Sequence, residues 1–143
     1  MRKLLYLLLS CLFLSISCTL EKSDNGDFDG FWQLSLIDTL SSQNSVDMRD
    51  SGYFWAVQYD LLVLRETNQR NEYICNFRLI GDSLYINNPY ILWRDSSDIK
   101  LNDPSVLKRF GINNLEEKFK IINMNSKRIV LESQIIRLHL RKY

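Results

Sequence analysis

From residue 30 to its end the chain alternates apolar and polar positions with a period of two, the repeat of strands that bury one face. "FWQLSLID" places Trp32, Leu34 and Leu36 on one face and Phe31, Gln33, Ser35 and Ile37 on the other. "EYICNFRLI" sets Tyr73, Cys75, Phe77 and Leu79 against Ile74, Asn76, Arg78 and Ile80, and "GDS" then turns the chain into "LYIN", which predicts a hairpin. "EKFKIINM" and "KRIVLES" form a second pair joined around residues 125–126. "IIRLHLRKY" closes the chain with Ile136, Leu138 and Leu140 facing one way and Arg137, His139 and Arg141 the other. "GYFWAVQYDLLVLRE", apolar on both faces in its second half, predicts one long bent strand, or two. One segment breaks the period: "NDPSVLKRFG" has Asp103 as N-cap, Pro104 at the first helical position, Leu107 and Phe110 three apart, and Gly111 where a C-cap belongs. A single domain of short strands at this spacing, with one helix of about two turns, predicts an all-β antiparallel barrel or sandwich.

The N-terminus follows a different pattern. Arg2 and Lys3 precede "LLYLLLSCLFLSIS", 14 residues that are almost wholly apolar. That is short of the roughly 20 residues a membrane-spanning helix needs and matches the apolar region of a secretory signal. The next residue is Cys18, and "SISC" resembles the box of bacterial lipoproteins, whose cysteine takes a diacylglyceryl group on its thiol. "LLSC" before Cys11 carries the more usual Leu, yet it would leave only residues 4–9 as the apolar stretch. Cys18 is therefore the expected lipid attachment site; the alternative is a secreted protein cut near Ser17 with a free thiol. Buried lipid chains contribute about 0.8 kcal/mol per methylene, so such a terminus would hold the protein on a membrane without spanning it. Residues 1–17 are then a signal peptide, 18–29 a flexible acidic tether and 30–143 the folded domain. The acid-rich run after Cys18 resembles the export signal of surface lipoproteins in Gram-negative gut anaerobes. That resemblance implies an outer-membrane lipoprotein exposed at the cell surface, with the periplasmic face as the alternative.

Charge and cysteine usage narrow the classes of partner. The whole chain has 18 Lys+Arg against 17 Asp+Glu; from Cys18 onward Arg2 and Lys3 are gone, and the balance turns slightly acidic. No basic excess is present to neutralise phosphates, so no nucleic-acid partner is expected. With Cys18 acylated, Cys75 is the one cysteine left in the domain, and no internal disulfide can form. The aromatic content is 12%, enough to build a core without one.

Catalytic and metal chemistry find few candidates. His139 is the one histidine, and its strand parity places it with Arg137 and Arg141 on a solvated face. No Gly-x-Ser-x-Gly elbow exists to present a nucleophile. Glu116 and Glu117 are adjacent in a strand and point to opposite faces, so they cannot share a site. Cys75, flanked on its face by Tyr73 and Phe77, reads as a buried apolar filler. "NGDFDG" opens like a calcium loop, but Asn25 stands where that loop needs an acid and Leu36 where it needs Glu. No metal, cofactor or enzymatic activity is expected.

Gly30-Phe31-Trp32 matches the Gly-x-Trp of the first strand of lipocalins. "DGFWQL", "LRE", "GDSLYI", "KRFG" and "LHLRKY", in this order, resemble the small lipocalin-like lipoproteins of gut bacteria over residues 26–143. The Thr-Asp-Tyr segment of true lipocalins is absent, and the chain is shorter than theirs. The resemblance implies a lipocalin-like barrel of about eight strands, in which Trp32 plugs one end and packs against an Arg near the last strand in a cation–π contact: Arg141, or else Arg137. Such a barrel has room for side chains or one small ligand. Tyr53, Trp55, Tyr59, Tyr73, Phe77 and Trp93 are the residues that would line a cavity, and they suit a small, weakly charged, apolar ligand. The alternative is a solid barrel that serves as an accessory or interaction subunit of an outer-membrane surface complex.

Overall fold

The computed structural model describes residues 23–69, 72–92 and 97–143. Cys18 and Trp93 lie outside the described residues, as do residues 1–17, expected to be a signal peptide, and the first part of the expected tether. Among the described residues, ten strands and two short 3-10 helices follow in the order η1 (Gly26–Phe28), β1 (Gly30–Thr39), β2 (Asn44–Asp47), β3 (Tyr53–Gln58), β4 (Leu61–Glu66), β5 (Glu72–Ile80), β6 (Ser83–Leu92), β7 (Ile99–Lys100), η2 (Pro104–Phe110), β8 (Glu117–Met124), β9 (Arg128–Glu132) and β10 (Ile136–Lys142).

All strand pairs are antiparallel. The ring runs β10-β9-β8-β6-β5-β4-β3-β1 and closes on itself through β1 and β10, an eight-stranded barrel; β2 adds to β1 and β7 to β6. Closure pairs Trp32 with Lys142, Gln33 with Arg141 and Leu34 with Leu140. The segment 52–66 resolves into two strands, β3 and β4, because Tyr59 takes a positive φ of 56° in the turn between them.

The period-two pattern holds through most of the sheet and slips once in β1. Trp32 and Leu34 are fully buried as expected. Ser35 then forms a bulge, so Leu36 rather than Ser35 faces His139 and the strand changes parity. Ile37, not Leu36, packs against the core beyond it. The bulge is held by its own hydrogen bonds: Ser35 Oγ donates to His139 O at 2.9 Å, and Ser35 O accepts from the Met48 amide.

The segment 104–110 forms as a 3-10 rather than an α-helix. Its ends match the expectation: the Asp103 carboxylate accepts from the Ser105 amide at 3.0 Å, and Gly111 sits in the left-handed region at φ 83°. A Cβ at Gly111 would run into the Leu138 side chain, so both conformation and space require glycine here.

The acidic stretch expected to be a flexible tether as far as residue 29 is structured from Ser23 onward. Ser23 Oγ and Asn25 Nδ2 both donate to Asp29 Oδ1, and Asn25 Nδ2 also donates to Tyr59 O. The physical reason is Phe28, an isolated aromatic among polar neighbours, which is fully buried in the barrel.

Candidate functional site

One end of the barrel is closed by η1 and Trp32. Trp32 is fully buried; its indole N–H donates to the Phe28 carbonyl at 2.8 Å, and the Phe28 ring meets Phe77 edge-on at 5.1 Å. The cation over this base is Lys142, with Nζ 4.3 Å from the Trp32 ring centroid and a hydrogen bond of 2.7 Å to Asp29 O. This corrects the assignment to Arg141. Parity is the cause: Lys142 is the cross-strand partner of Trp32, whereas Arg141 faces Gln33 on the opposite side of the wall and donates from Nε to its Oε1 at 2.6 Å. Arg137 is also elsewhere, paired with Glu132. The glycine of Gly-x-Trp gains its reason here, because Gly30 has φ 120° and the Lys142 side chain crosses the space a Cβ would take.

The other end is closed by η2. Trp55 is fully buried and donates its indole N–H to Phe110 O at 3.1 Å, while its ring meets Phe119. The Phe110 ring packs edge-on against Tyr53 at 5.3 Å and Tyr73 at 5.9 Å. Arg109 Nη1 ties η2 to the barrel through Glu66 Oε2 at 3.0 Å. Of the residues expected to line a cavity, Tyr53, Trp55, Tyr73 and Phe77 do point inward, but their faces are taken up by one another and by the two plugs. Tyr59 departs from the expectation: it is 46% exposed and stands on the outer surface, because it occupies the β3–β4 turn. Cys75 is buried among these rings, and desolvation pushes its thiol up to about 12, so it stays protonated.

His139 Nε2 lies 2.7 Å from Asp38 Oδ2, and Ser45 Oγ donates to the other oxygen of the same carboxylate. A serine that donates to the aspartate instead of the imidazole is not activated, so Ser45, Asp38 and His139 do not form a nucleophilic triad. Glu117 is spent structurally, accepting from the amides of Asn113 and Asn114 and from the Asn114 side chain. Among the described residues no group of three or more His, Cys, Asp or Glu is placed to hold a metal ion.

The outer wall is grooved. An open groove of about 590 Å³ runs beside η1, lined mainly by Phe31, Ala56, Tyr59, Leu61 and Val63, with Ser23 at its edge. Phe31, Ala56 and Val63 in its lining face one another in a cross-strand row, which continues beyond the groove as Val63 faces Ile74 and Ile74 faces Tyr90. Phe31 also stacks on Phe54 at 4.9 Å, and the exposed Tyr143 ring closes on both edge-on. The available signal was the far face of β1, where Phe31 is an aromatic residue at a position the alternation reserves for polar ones. A second, polar groove of about 410 Å³ on β5, β6 and β8 includes Arg78, Tyr85, Asn87, Glu116 and Lys118.

A family model described as a lipocalin-like domain matches residues 11–143. Among solved structures the chain is similar to a lipocalin-like protein from Bacteroides uniformis, with a TM-score of 0.61 and 22% identity over 82% of this chain and 100% of that one. It is also similar to an uncharacterized protein from Bacteroides eggerthii, with a TM-score of 0.59 and 18% identity over 81% of this chain and 99% of that one. At these identities the likeness is one of fold. No curated protein matches the chain.

Proposed function

We propose that this chain, which belongs to the lipocalin-like domain family, is a lipid-anchored, non-catalytic domain of the cell envelope that works through its outer wall as an interaction subunit. In this reading Cys18 carries the lipid and the barrel interior is structural. The single observation that supports it best is the double plug: Trp32 donates to Phe28 O at one end and Trp55 to Phe110 O at the other, each inside a cluster of aromatic rings. An occupant of the barrel would have to break one of these bonds and leave a buried carbonyl unpaired, a cost of about 1 to 3 kcal/mol before any contact is gained. The non-catalytic part rests on the chemistry of the candidates, since His139 is bound to Asp38 and the Cys75 thiol is buried.

Two measurements test it. Metabolic labelling with a fatty-acid probe should mark the protein, survive Cys11→Ala and vanish with Cys18→Ala; label that persists in Cys18→Ala refutes the anchor. Titration of the domain with lipids, sterols and aromatic metabolites should leave its tryptophan fluorescence unchanged. Saturable quenching weakened by Trp55→Phe would instead establish an apolar ligand inside the barrel, the reading in which Trp55, Tyr73 and Phe77 line a site.

A further inference from the structure

We propose that the grooved outer wall of β1, β3 and β4 is the face this protein lays on a neutral lipid surface, with Phe31, Leu61 and Val63 turned towards the acyl boundary. The inference rests on the anchor reading above. Its first support is where the chain enters the fold. Ser23, on the edge of the groove, is tied to Asp29, and the same cluster is tied through Asn25 to the β3–β4 turn. Only the five residues 18–22 separate a lipid on Cys18 from Ser23. Five residues reach at most about 17 Å, while a domain of this length has a radius of gyration of about 14 Å. An anchor on Cys18 therefore keeps the Ser23 side of the barrel towards the bilayer.

The second support is the chemistry of that side. Phe31, Ala56, Val63, Ile74 and Tyr90 form an apolar row across five strands on the outside of the sheet, where solvent-facing positions are normally polar. Leu61 at 39% and Tyr59 at 46% exposure flank the groove, and Tyr143 at 73% extends the patch through Phe31 and Phe54. Tyrosine rings with an apolar body and a polar tip favour the headgroup level of a membrane. The third support is charge. Asp29 lines the groove, Asp60 adjoins Tyr59 and Leu61 in the turn, and Asp24 and Asp27 sit in the entering segment. The Lys142 ammonium, bound to Asp29 O beside Gly30, is the opposing charge on this rim; with both signs present the face fits a zwitterionic surface, and the contact should be insensitive to salt.

The test uses the full chain, acylated at Cys18 and reconstituted into phosphatidylcholine vesicles that contain brominated lipid. A fluorophore placed through Leu61→Cys reports the groove, and one placed through Ile122→Cys reports β8, across the ring; Cys75 is buried and stays unlabelled. The expected result is that the probe at 61 is quenched several-fold more than the probe at 122, with no change as salt is raised. Equal quenching at the two positions on protein that floats with the vesicles overturns the face and leaves the anchor standing. Protein that fails to float overturns both. Quenching that strengthens with phosphatidylglycerol and weakens with salt overturns the neutral-surface assignment.

Discussion

Replacing Lys142 by Met keeps the aliphatic stem and removes the charge that lies over Trp32. Two contacts go with it: the cation–π contact at 4.3 Å and the hydrogen bond to Asp29 O. At an exposed site the first is worth about 0.5 to 1 kcal/mol, and a solvent-accessible hydrogen bond adds about 0.5 kcal/mol. Lys142→Met should therefore destabilise by about 1 kcal/mol. Trp32→Leu removes a fully buried ring and leaves the Phe28 carbonyl without its donor, which should cost about 3 to 4 kcal/mol, near the lower end of the range for buried large aromatics. In the double variant the cation–π part is lost only once, so the two should couple by about 0.5 to 1 kcal/mol. The same cycle with Arg141→Met should be additive within about 0.3 kcal/mol, because Arg141 touches Gln33 on the other side of the wall. Urea unfolding followed by circular dichroism measures all four species without relying on the tryptophan that is replaced. Coupling to Arg141 as large as that to Lys142, or none for Lys142, refutes this account of the barrel base.

Gly111→Ala should destabilise by about 1 to 3 kcal/mol, since φ 83° strains any other residue and the new methyl group meets Leu138; a thermal midpoint equal to wild type would show that η2 ends differently. Asp38 should make stability fall in acid. Hydrogen bonds from Ser45 and His139 hold its carboxyl below the ordinary 3.8, so its contribution is present above that pH and lost as pH falls through the lower folded value. Asp38→Asn should accordingly be less stable than wild type near neutrality, with the gap closing in strong acid; a gap independent of pH would show that the carboxylate contributes nothing as a charge.

Most strands were legible because they carry a run of alternation long enough to fix which face is buried, and the turns at 81–82 and 125–126 interrupt it at visible points; the turn at 59–60 was not, because the residues that follow it are apolar on both faces. The cap residues of η2 were legible for the same local reason. What escaped was non-local. Nothing in "FWQLSLID" announces that Ser35 will bulge, because that bulge exists only when β10 lies alongside and offers His139 O to the serine. Phe28 looked like part of a polar linker because one buried aromatic makes no period. Lys142 continues the parity of Leu138 and Leu140, a local signal for its place over Trp32, whereas the expectation of Arg141 rests on the resemblance to lipocalins and not on parity. β2, with all four residues exposed, has no apolar face for the sequence to display.

The barrel is closed by the two strands furthest apart in the chain. Gln33 on β1 and Arg141 on β10 are 108 positions apart, yet they share a hydrogen bond, while the other ring neighbours are joined by much shorter connections. Closing the ring carries the largest loop entropy in the fold and raises the contact order, so folding should be slow for a domain of this size. A chain that emerges N-terminus first exposes the β1 edge from the outset and shields it only when its final residues arrive. Until then the growing sheet has two open edges capable of recruiting another strand. Deleting β10 would not trim the domain; it would expose one edge of β1 and one edge of β9 together and convert the closed ring into an open sheet prone to edge-to-edge association.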